Sequence, residues 1–299
     1  MPNLTNLTVI VLNYNSANIT IRCVDQLLKL HAGFHIVVVD NNSPDTSFLE
    51  LKEYYQSTEI DILNAGENRG YSAGNNLGIK YAISRYCSNY IAIANPDVII
   101  PHTEVFTELM RTMDGDEKCA VVGASVINPG NIYVPAFSAW KIQSKKDFIL
   151  SRSLFGNNPF SGIMKWKLSS EKVAEVECIA GCFFIASVDA LKKVGFLDED
   201  IFMYNEEILL GYKLKTIGYK ELLRLDQFYY HNHEKKVSPK VSNCISSRKR
   251  RFASDIILYK KIYSGKIGLA LMYILEGINR IILFPWFALK PMITRETHK

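Results

Sequence analysis

Two adjacent carboxylates, Glu206 and Glu207, and two alternating imidazoles, His231 and His233, are residue types suited to proton transfer and metal binding. A carboxylate facing a partly desolvated cleft can take a proton from a hydroxyl. Histidines alternating on an extended segment can turn one ring toward a metal. Read locally, the same acidic pair caps a helix, whose N-terminal dipole favours negative charge. Further polar clusters are Asn13-Tyr14-Asn15, Asp40, the run from Asn68 to Asn75 with Arg69 and Gly70, and Asn95 with Asp97. A carboxylate after a strand accepts from a base or ribose hydroxyl, an aromatic ring stacks on a base, and a Gly-bearing loop with an arginine can face phosphates. Asp97 could hold a hard divalent ion whose other ligands are water and phosphate oxygens. Singly these residues are turn formers; in succession they point to a nucleotide-diphosphate crevice.

Apolar runs precede the clusters and must position them. Leu7 to Leu12 and His35 to Asp40 are rich in β-branched residues, and between them Ile19, Cys23, Leu27 and Leu30 have helical spacing. Strand, helix and strand in about 30 residues form a βαβ unit with parallel, doubly buried strands. A helical stretch Thr46–Gln56, a strand Ile60–Leu63, a polar loop leading into a helix Leu77–Cys87, and a strand Tyr90–Ala94 continue the alternation. The expectation is an α/β sheet with its polar loops gathered at the C-terminal strand edge, where ligands bind. Downstream, Glu206-Glu207 opens a helix reaching Gly218, and a strand-like Asp226–Tyr230 leads to the histidines. The irregular stretch from Asn128 to Ser170 reads as an insertion or acceptor-side lid. Residues 1–233 are expected to form one catalytic domain, with 234–299 an appended tail.

Composition narrows the class. Of 299 residues, 48% are hydrophobic and 22% charged, which excludes a disordered chain or a fibrous repeat. Six cysteines without a close C-x-x-C pair argue against a disulfide framework or structural zinc. The N-terminus lacks the basic flank and long apolar core of a secretory signal, so a cytoplasmic protein is expected, with the sequons at Asn3, Asn6 and Asn18 unmodified. Charge is uneven: residues 1–233 hold 21 Lys/Arg and 26 Asp/Glu, net −5, whereas 234–299 hold 14 and 4, net +10. After the run Arg248-Lys249-Arg250-Arg251, the residues Ile267, Ala270, Leu271, Ile274, Ile278, Ile281 and Ile282 recur at helical spacing. Glu276, Asn279 and Arg280 interrupt the stretch and Pro285 should break or kink it, so a helix spanning a bilayer is not expected. A basic amphipathic tail suits an anionic membrane surface, contacted through 235–290. The alternative is a helix docked on the core or on a partner subunit of a homodimer. Nucleic acid is not expected as a partner, because no aromatic residues interleave the basic run.

The blocks Val9–Asn15, Val39–Ser43, Asn68–Ile79, Asn95–Val98, Ile179–Ile185 and Gly195–Gly218, in that order, resemble an inverting glycosyltransferase of family 2. The resemblance covers roughly residues 7–238 and is nearest to the bacterial rhamnosyltransferase-like branch. It implies the GT-A fold, a Rossmann-like mixed sheet flanked by helices, a dTDP- or UDP-sugar donor, and Mn²⁺ or Mg²⁺. Carried over by position, it puts Tyr14 and Asp40 at the nucleoside and Arg69 and Asn75 near ribose and diphosphate, with Asn13, Gly70 and Asn95 also donor-binding. Asp97 and His231, with His233 as the alternative, would hold the metal. The family's Glu-Asp motif falls on Glu206-Glu207, which makes Glu207 the base. This sequence departs from the pattern at Asn95, which replaces a first metal carboxylate, at Glu207, which is longer than Asp, and at Leu209, where a second Asp is frequent. A longer base shifts the acceptor geometry or shares its role with Glu206.

The implied activity is sugar transfer from a nucleotide diphosphate to a glycan or polyprenyl-diphosphate-linked acceptor hydroxyl, as in bacterial surface polysaccharide synthesis, at the inner membrane face. A sugar-nucleotide-binding or scaffold subunit is the rival reading, and a nucleotidyltransferase, releasing pyrophosphate, is a third.

Overall fold

The computed structural model describes residues 3–128, 132–133, 137–152, 167–232 and 241–296. Its first half alternates as the sequence predicts: β1 (Leu7–Asn13), α1 (Ala17–Leu28), β2 (His35–Asp40), α2 (Ser47–Tyr54), β3 (Asp61–Asn64), α3 (Tyr71–Tyr86) and β4 (Tyr90–Ala94). Next come β5 (Val98–Ile99), α4 (Thr103–Asp114), β6 (Cys119–Asn128), β7 (Ile132–Tyr133), β8 (Ala139–Trp140) and α5 (Lys145–Leu150). The remainder is β9 (Lys167–Ser170), β10 (Val173–Val176), β11 (Cys178–Ile179), β12 (Phe183–Ser187), α6 (Val188–Lys193), α7 (Glu206–Thr216), β13 (Lys220–His231), α8 (Val241–Ile262) and α9 (Lys266–Glu296).

The main sheet runs β3-β2-β1-β4-β12-β6-β13-β10-β9. Strands β1 to β4 are parallel, β12 is antiparallel to β4 and β6, and β13 is parallel to β6. This is a mixed, helix-flanked α/β sheet, as the resemblance implies. Side-chain alternation along β1 feeds both of its layers. Val9 and Val11 join Leu27 and Phe106 on one face, and Ile10 joins Val39, Ile79 and Ala82 on the other.

Strand direction decides where the polar ends collect. The carboxyl ends of β1, β2, β4 and β13 and the amino end of antiparallel β12 share one sheet edge, as the pairings Asn13↔Asp40, Phe183↔Ala94 and His231↔Val98 record.

Two expectations are corrected. The loop expected from Asn68 to Asn76 is only partly loop, because α3 begins at Tyr71. Gly70 adopts φ +95°, a Cβ there would collide with the Phe202 backbone, and the Phe202 carbonyl caps the helix by accepting from the Tyr71 amide at 2.9 Å. Pro285 does not end α9, which continues to Glu296. A missing N–H removes one rung while the flanking turns stay bonded. Among the described residues no helix is long and apolar enough to cross a membrane.

The chain divides into two compact units, Met1–Ile142 with Ile163–Glu234, and Gln143–Gly162 with Lys235–Lys299. The sequence pattern places α5 inside the first domain, 1–233. In the structure it belongs with the C-terminal helices: Arg152 pairs with Asp255 at 2.7 Å and the Tyr263 hydroxyl donates to the Gln143 carbonyl at 2.6 Å. The described cysteines Cys23, Cys87, Cys119, Cys178 and Cys182 are all free thiols.

Candidate active site

Short strand β5 pairs with the last residues of β13, and the Asn232 amide donates to the Asp97 carbonyl at 2.8 Å. This clamp brings together side chains 134 residues apart: His231 Nε2 lies 3.2 Å from Asp97 Oδ1. Burial favours the neutral imidazole, but the hydrogen bond to Asp97, contact with Cys182 and the nearby negative charge outweigh it and hold the His231 pKa up at about 10. The Cys182 carbonyl accepts from the Asn95 amide at 2.8 Å, and its thiol meets the Tyr229 hydroxyl at 2.7 Å.

A second focus lies one residue back along the chain. Tyr204 and Asn205 take φ +74° and +70°, left-handed conformations unusual for residues with a Cβ, immediately before α7 opens at Glu206. Glu206 and Glu207 thus sit in the first helical turn, as expected, yet they also line a small pocket with Tyr71, Gly181 and Glu221. The Gly181 amide donates to Glu207 Oε1 at 3.2 Å, and the Tyr71 hydroxyl donates to the Gly181 carbonyl at 2.5 Å. Burial, reinforced by Glu207 and Glu206, pushes the Tyr71 phenol well up.

Glu221, itself buried, also lines the pocket. Its Oε2 accepts from the Ile179 amide at 2.8 Å. Burial raises its carboxyl pKa well above the ordinary value, the Ile179 bond opposes, and the charge of Glu207 adds to the rise. Burial thus favours the protonated form of Glu221 beside the Glu207 side chain. Gly181-Cys182 is the backbone step joining both foci, bonded to Glu207 by one residue and to Asn95 by the next.

The remaining candidates divide between rim and scaffold. Tyr14 stands exposed where β1 ends, free to offer a ring face. Asp40 is fully buried, and its carboxylate accepts from Asn13 Nδ2 and the Ser43 hydroxyl, both at 2.7 Å, and from the Ser43 amide at 2.9 Å. Asn13, whose side-chain carbonyl accepts from Ser16 and Thr20, orients Asp40 from within the sheet. Arg69 pairs with Glu199 at 3.0 Å beside Gly70. Asn75 is buried inside α3, its amide bonded to the Tyr71 carbonyl and its side-chain oxygen left without a hydrogen bond. Asn95 meets the Gly181-Cys182 step through its backbone. His233 lies outside the described residues.

Comparison with known proteins decides the family. The signature of Glycosyl transferase family 2 matches residues 8–170, more than half of the chain. The chain belongs to glycosyl transferase family 2.

Two curated relatives of this family 2 chain carry informative names. The low-salt glycan biosynthesis hexosyltransferase Agl10 of Haloferax volcanii is 27% identical over 214 residues, covering 71% of this chain but 62% of its own. The rhamnosyltransferase WbbL of Escherichia coli is 24% identical over 188 residues, covering 61% of this chain and 67% of its own. The chain thus spans less than two thirds of Agl10. Among solved structures, the mannosyltransferase PcManGT from Pyrobaculum calidifontis, in complex with GDP-Man and Mn²⁺, superposes with a TM-score of 0.57 at 14% identity, covering 98% of this chain and 76% of that one. At that identity the likeness speaks for the fold.

Carboxylate and imidazole are donor types that could hold a divalent ion. Asp97 and His231 meet side chain to side chain where β5 and β13 pair, and among the described residues no group of three or more His, Cys, Asp or Glu could hold a metal alone. Two protein ligands suit an ion shared with diphosphate oxygens and water, not a closed structural site.

Sequence reasoning missed Tyr71, Gly181, Cys182 and Glu221. The signal for Glu221 was weak but present, a carboxylate opening the apolar run Glu-Leu-Leu-Arg-Leu. Nothing local announced that Gly181 would lie against Glu207.

Proposed function

We propose that the chain is an inverting glycosyltransferase that moves a hexosyl or rhamnosyl group from a nucleotide-diphosphate donor to an acceptor hydroxyl. The observation that carries this reading is the Gly181-Cys182 step, which holds a carboxylate at Glu207 and leads through Asn95 to the Asp97–His231 pair.

Glu207 takes the proton of the acceptor hydroxyl. The freed oxygen attacks the anomeric carbon from the face opposite the leaving group, so one displacement inverts its configuration. The bond to the nucleoside diphosphate breaks and the electron pair leaves with the diphosphate. Asp97 and His231 would hold a divalent ion, which would supply neutralisation of that developing charge. Gly181 and Tyr71 fix the carboxylate's orientation, and burial disfavours a second negative charge at Glu221 in the same pocket. Tyr14 offers its ring to the base, Asp40 shapes the nucleoside side of the crevice, and Arg69 stands near the diphosphate.

The finer reading rests on the basic region 235–290 and on a relative named for glycan biosynthesis. The acceptor is a glycan or polyprenyl-diphosphate-linked sugar in surface polysaccharide synthesis. The protein works in the cytoplasm against the inner membrane face, its basic region 235–290 toward anionic lipid.

The test is purified full chain with a panel of nucleotide sugars and Mn²⁺ or Mg²⁺, followed by chromatography and by NMR of product configuration. Nucleoside diphosphate release, lost with chelator and restored by metal, with an inverted anomeric centre, is expected. Donor binding without turnover would favour a sugar-nucleotide-binding or scaffold subunit, and pyrophosphate release a nucleotidyltransferase; either rejects the proposal.

A further inference from the structure

Between Lys266 and Ile282, helix α9 carries its polar side inward and its apolar side outward. Met272, Glu276 and Asn279 are buried. Glu276 is bonded to Arg248 of α8 at 2.8 Å and to Arg280 at 2.9 Å, and Asn279 donates to the Arg152 carbonyl at 2.6 Å. On the opposite side Ile267, Leu271, Ile274, Ile278, Ile281 and Ile282 are 45–81% exposed. Spaced by three and four, they make one continuous stripe, and contiguous apolar surface of that kind marks an interaction site. Packing within the unit has used the polar seam and left the apolar face over.

Charge identifies what covers it. Residues 241–282 hold eight Lys/Arg and two acids, Asp255 and Glu276. Both acids are buried and bonded to arginines, Asp255 to Arg152 and Glu276 to Arg248 and Arg280. The surface these helices expose over that range therefore offers cations and isoleucines and no carboxylate. A second copy would set two positive surfaces against each other. A nucleic acid would match the cations and leave the stripe in water. A lipid surface with anionic headgroups meets both, phosphates opposite Lys249, Lys260 and Lys266 and acyl chains opposite the isoleucines.

We propose that α9 lies in the plane of an anionic membrane with the Ile267–Ile282 stripe among the acyl chains. This names the physical contact behind the membrane-face reading above, on which it rests for its purpose but not for its test.

The experiment is flotation of the full chain with vesicles of phosphatidylcholine alone or with about 30% phosphatidylglycerol, at low and high salt. Binding to the anionic vesicles only, weakened by salt, is expected. Replacing Ile274→Asn together with Ile278→Asn should lower partitioning by about a hundredfold, roughly tenfold per buried side chain. Lys249→Glu with Lys260→Glu should abolish the preference for anionic lipid. Both variants should melt at the temperature of the parent, since these side chains face solvent. Equal binding to neutral vesicles, no vesicle binding, dimerisation lost in the isoleucine variant, or retention on nucleic acid instead would each overturn the proposal. A fall in melting temperature of the isoleucine variant would do so as well, by showing that the stripe packs inside the molecule. Vesicle binding without sugar transfer would fault the transferase reading alone, and transfer without vesicle binding this one alone.

Discussion

Gly181 and Glu207, 26 residues apart, meet backbone to side chain: the amide donates to Oε1 at 3.2 Å, and a Cβ on residue 181 would stand 2.6 Å from that oxygen. The contact holds the carboxylate in one place and makes the absence of a side chain at 181 a condition of that placement. Because the obstacle is the far end of a flexible side chain, Gly181→Ala should displace Glu207 and leave the core intact. We expect transfer to fall by about a hundredfold with the melting temperature nearly unchanged, measured by donor turnover beside a thermal scan.

Glu207→Gln keeps the shape and the Gly181 contact and removes the basicity. Turnover should fall by about 10²–10⁴ while the affinity for donor stays within a factor of about two, because the ring and phosphate contacts lie elsewhere. Isothermal titration with the nucleotide sugar, paired with product assays, measures both. Full activity in this variant, with Glu206→Gln inactive, would transfer the role of base to Glu206.

Asp97 and His231 should fail together for metal and separately for pH. His231→Ala or Asp97→Asn should weaken Mn²⁺ dependence by at least about tenfold, read from activity against metal concentration. In metal-free protein the raised His231 pKa, about 10 against an ordinary 6.5, means that the native state holds a proton the unfolded state loses. Its stabilisation is complete below about pH 6.5 and disappears as pH rises toward about 10. Asp97→Asn removes the partner that supports the proton and should flatten that decline in melting curves from pH 6 to 10.

Glu221 titrates in the same sense for a different reason. Its native carboxyl stays protonated above the ordinary 4.5 while the unfolded chain ionises there, so folding becomes less favourable as pH rises. Glu221→Gln keeps an acceptor for the Ile179 amide without that burden. The variant should melt higher than the parent at pH 8, by roughly 2 °C or more, and equal it near pH 4.

Helix α3 shows how local pattern and tertiary context divide the work. Residues 68–76 are rich in Asn, Ser and Gly, all poor helix formers inside a helix, so a loop was the natural reading. The structure begins the helix at Tyr71 because the Phe202 carbonyl arrives from a distant loop to cap it, and because Gly74 and Gly78 admit close packing on Leu12 and Ile10 of β1. Asn75, read as a loop residue facing diphosphate, is therefore a buried helix residue.

What the amino-acid order determined alone was the set of parallel strands and crossover helices, through β-branched runs and helical spacing, and the candidates gathered where those strands end. Family blocks supplied the residue types to look for, and Asp97 and His231 did converge. Tertiary structure alone decided which of them touch. The Asp97–His231 clamp depends on pairing between β5 and β13, the Glu207 contact on antiparallel β12 delivering Gly181 to that edge, and the raised pKa of Glu221 on its burial. Each is set by neighbours far away in the chain, whose positions no local periodicity encodes.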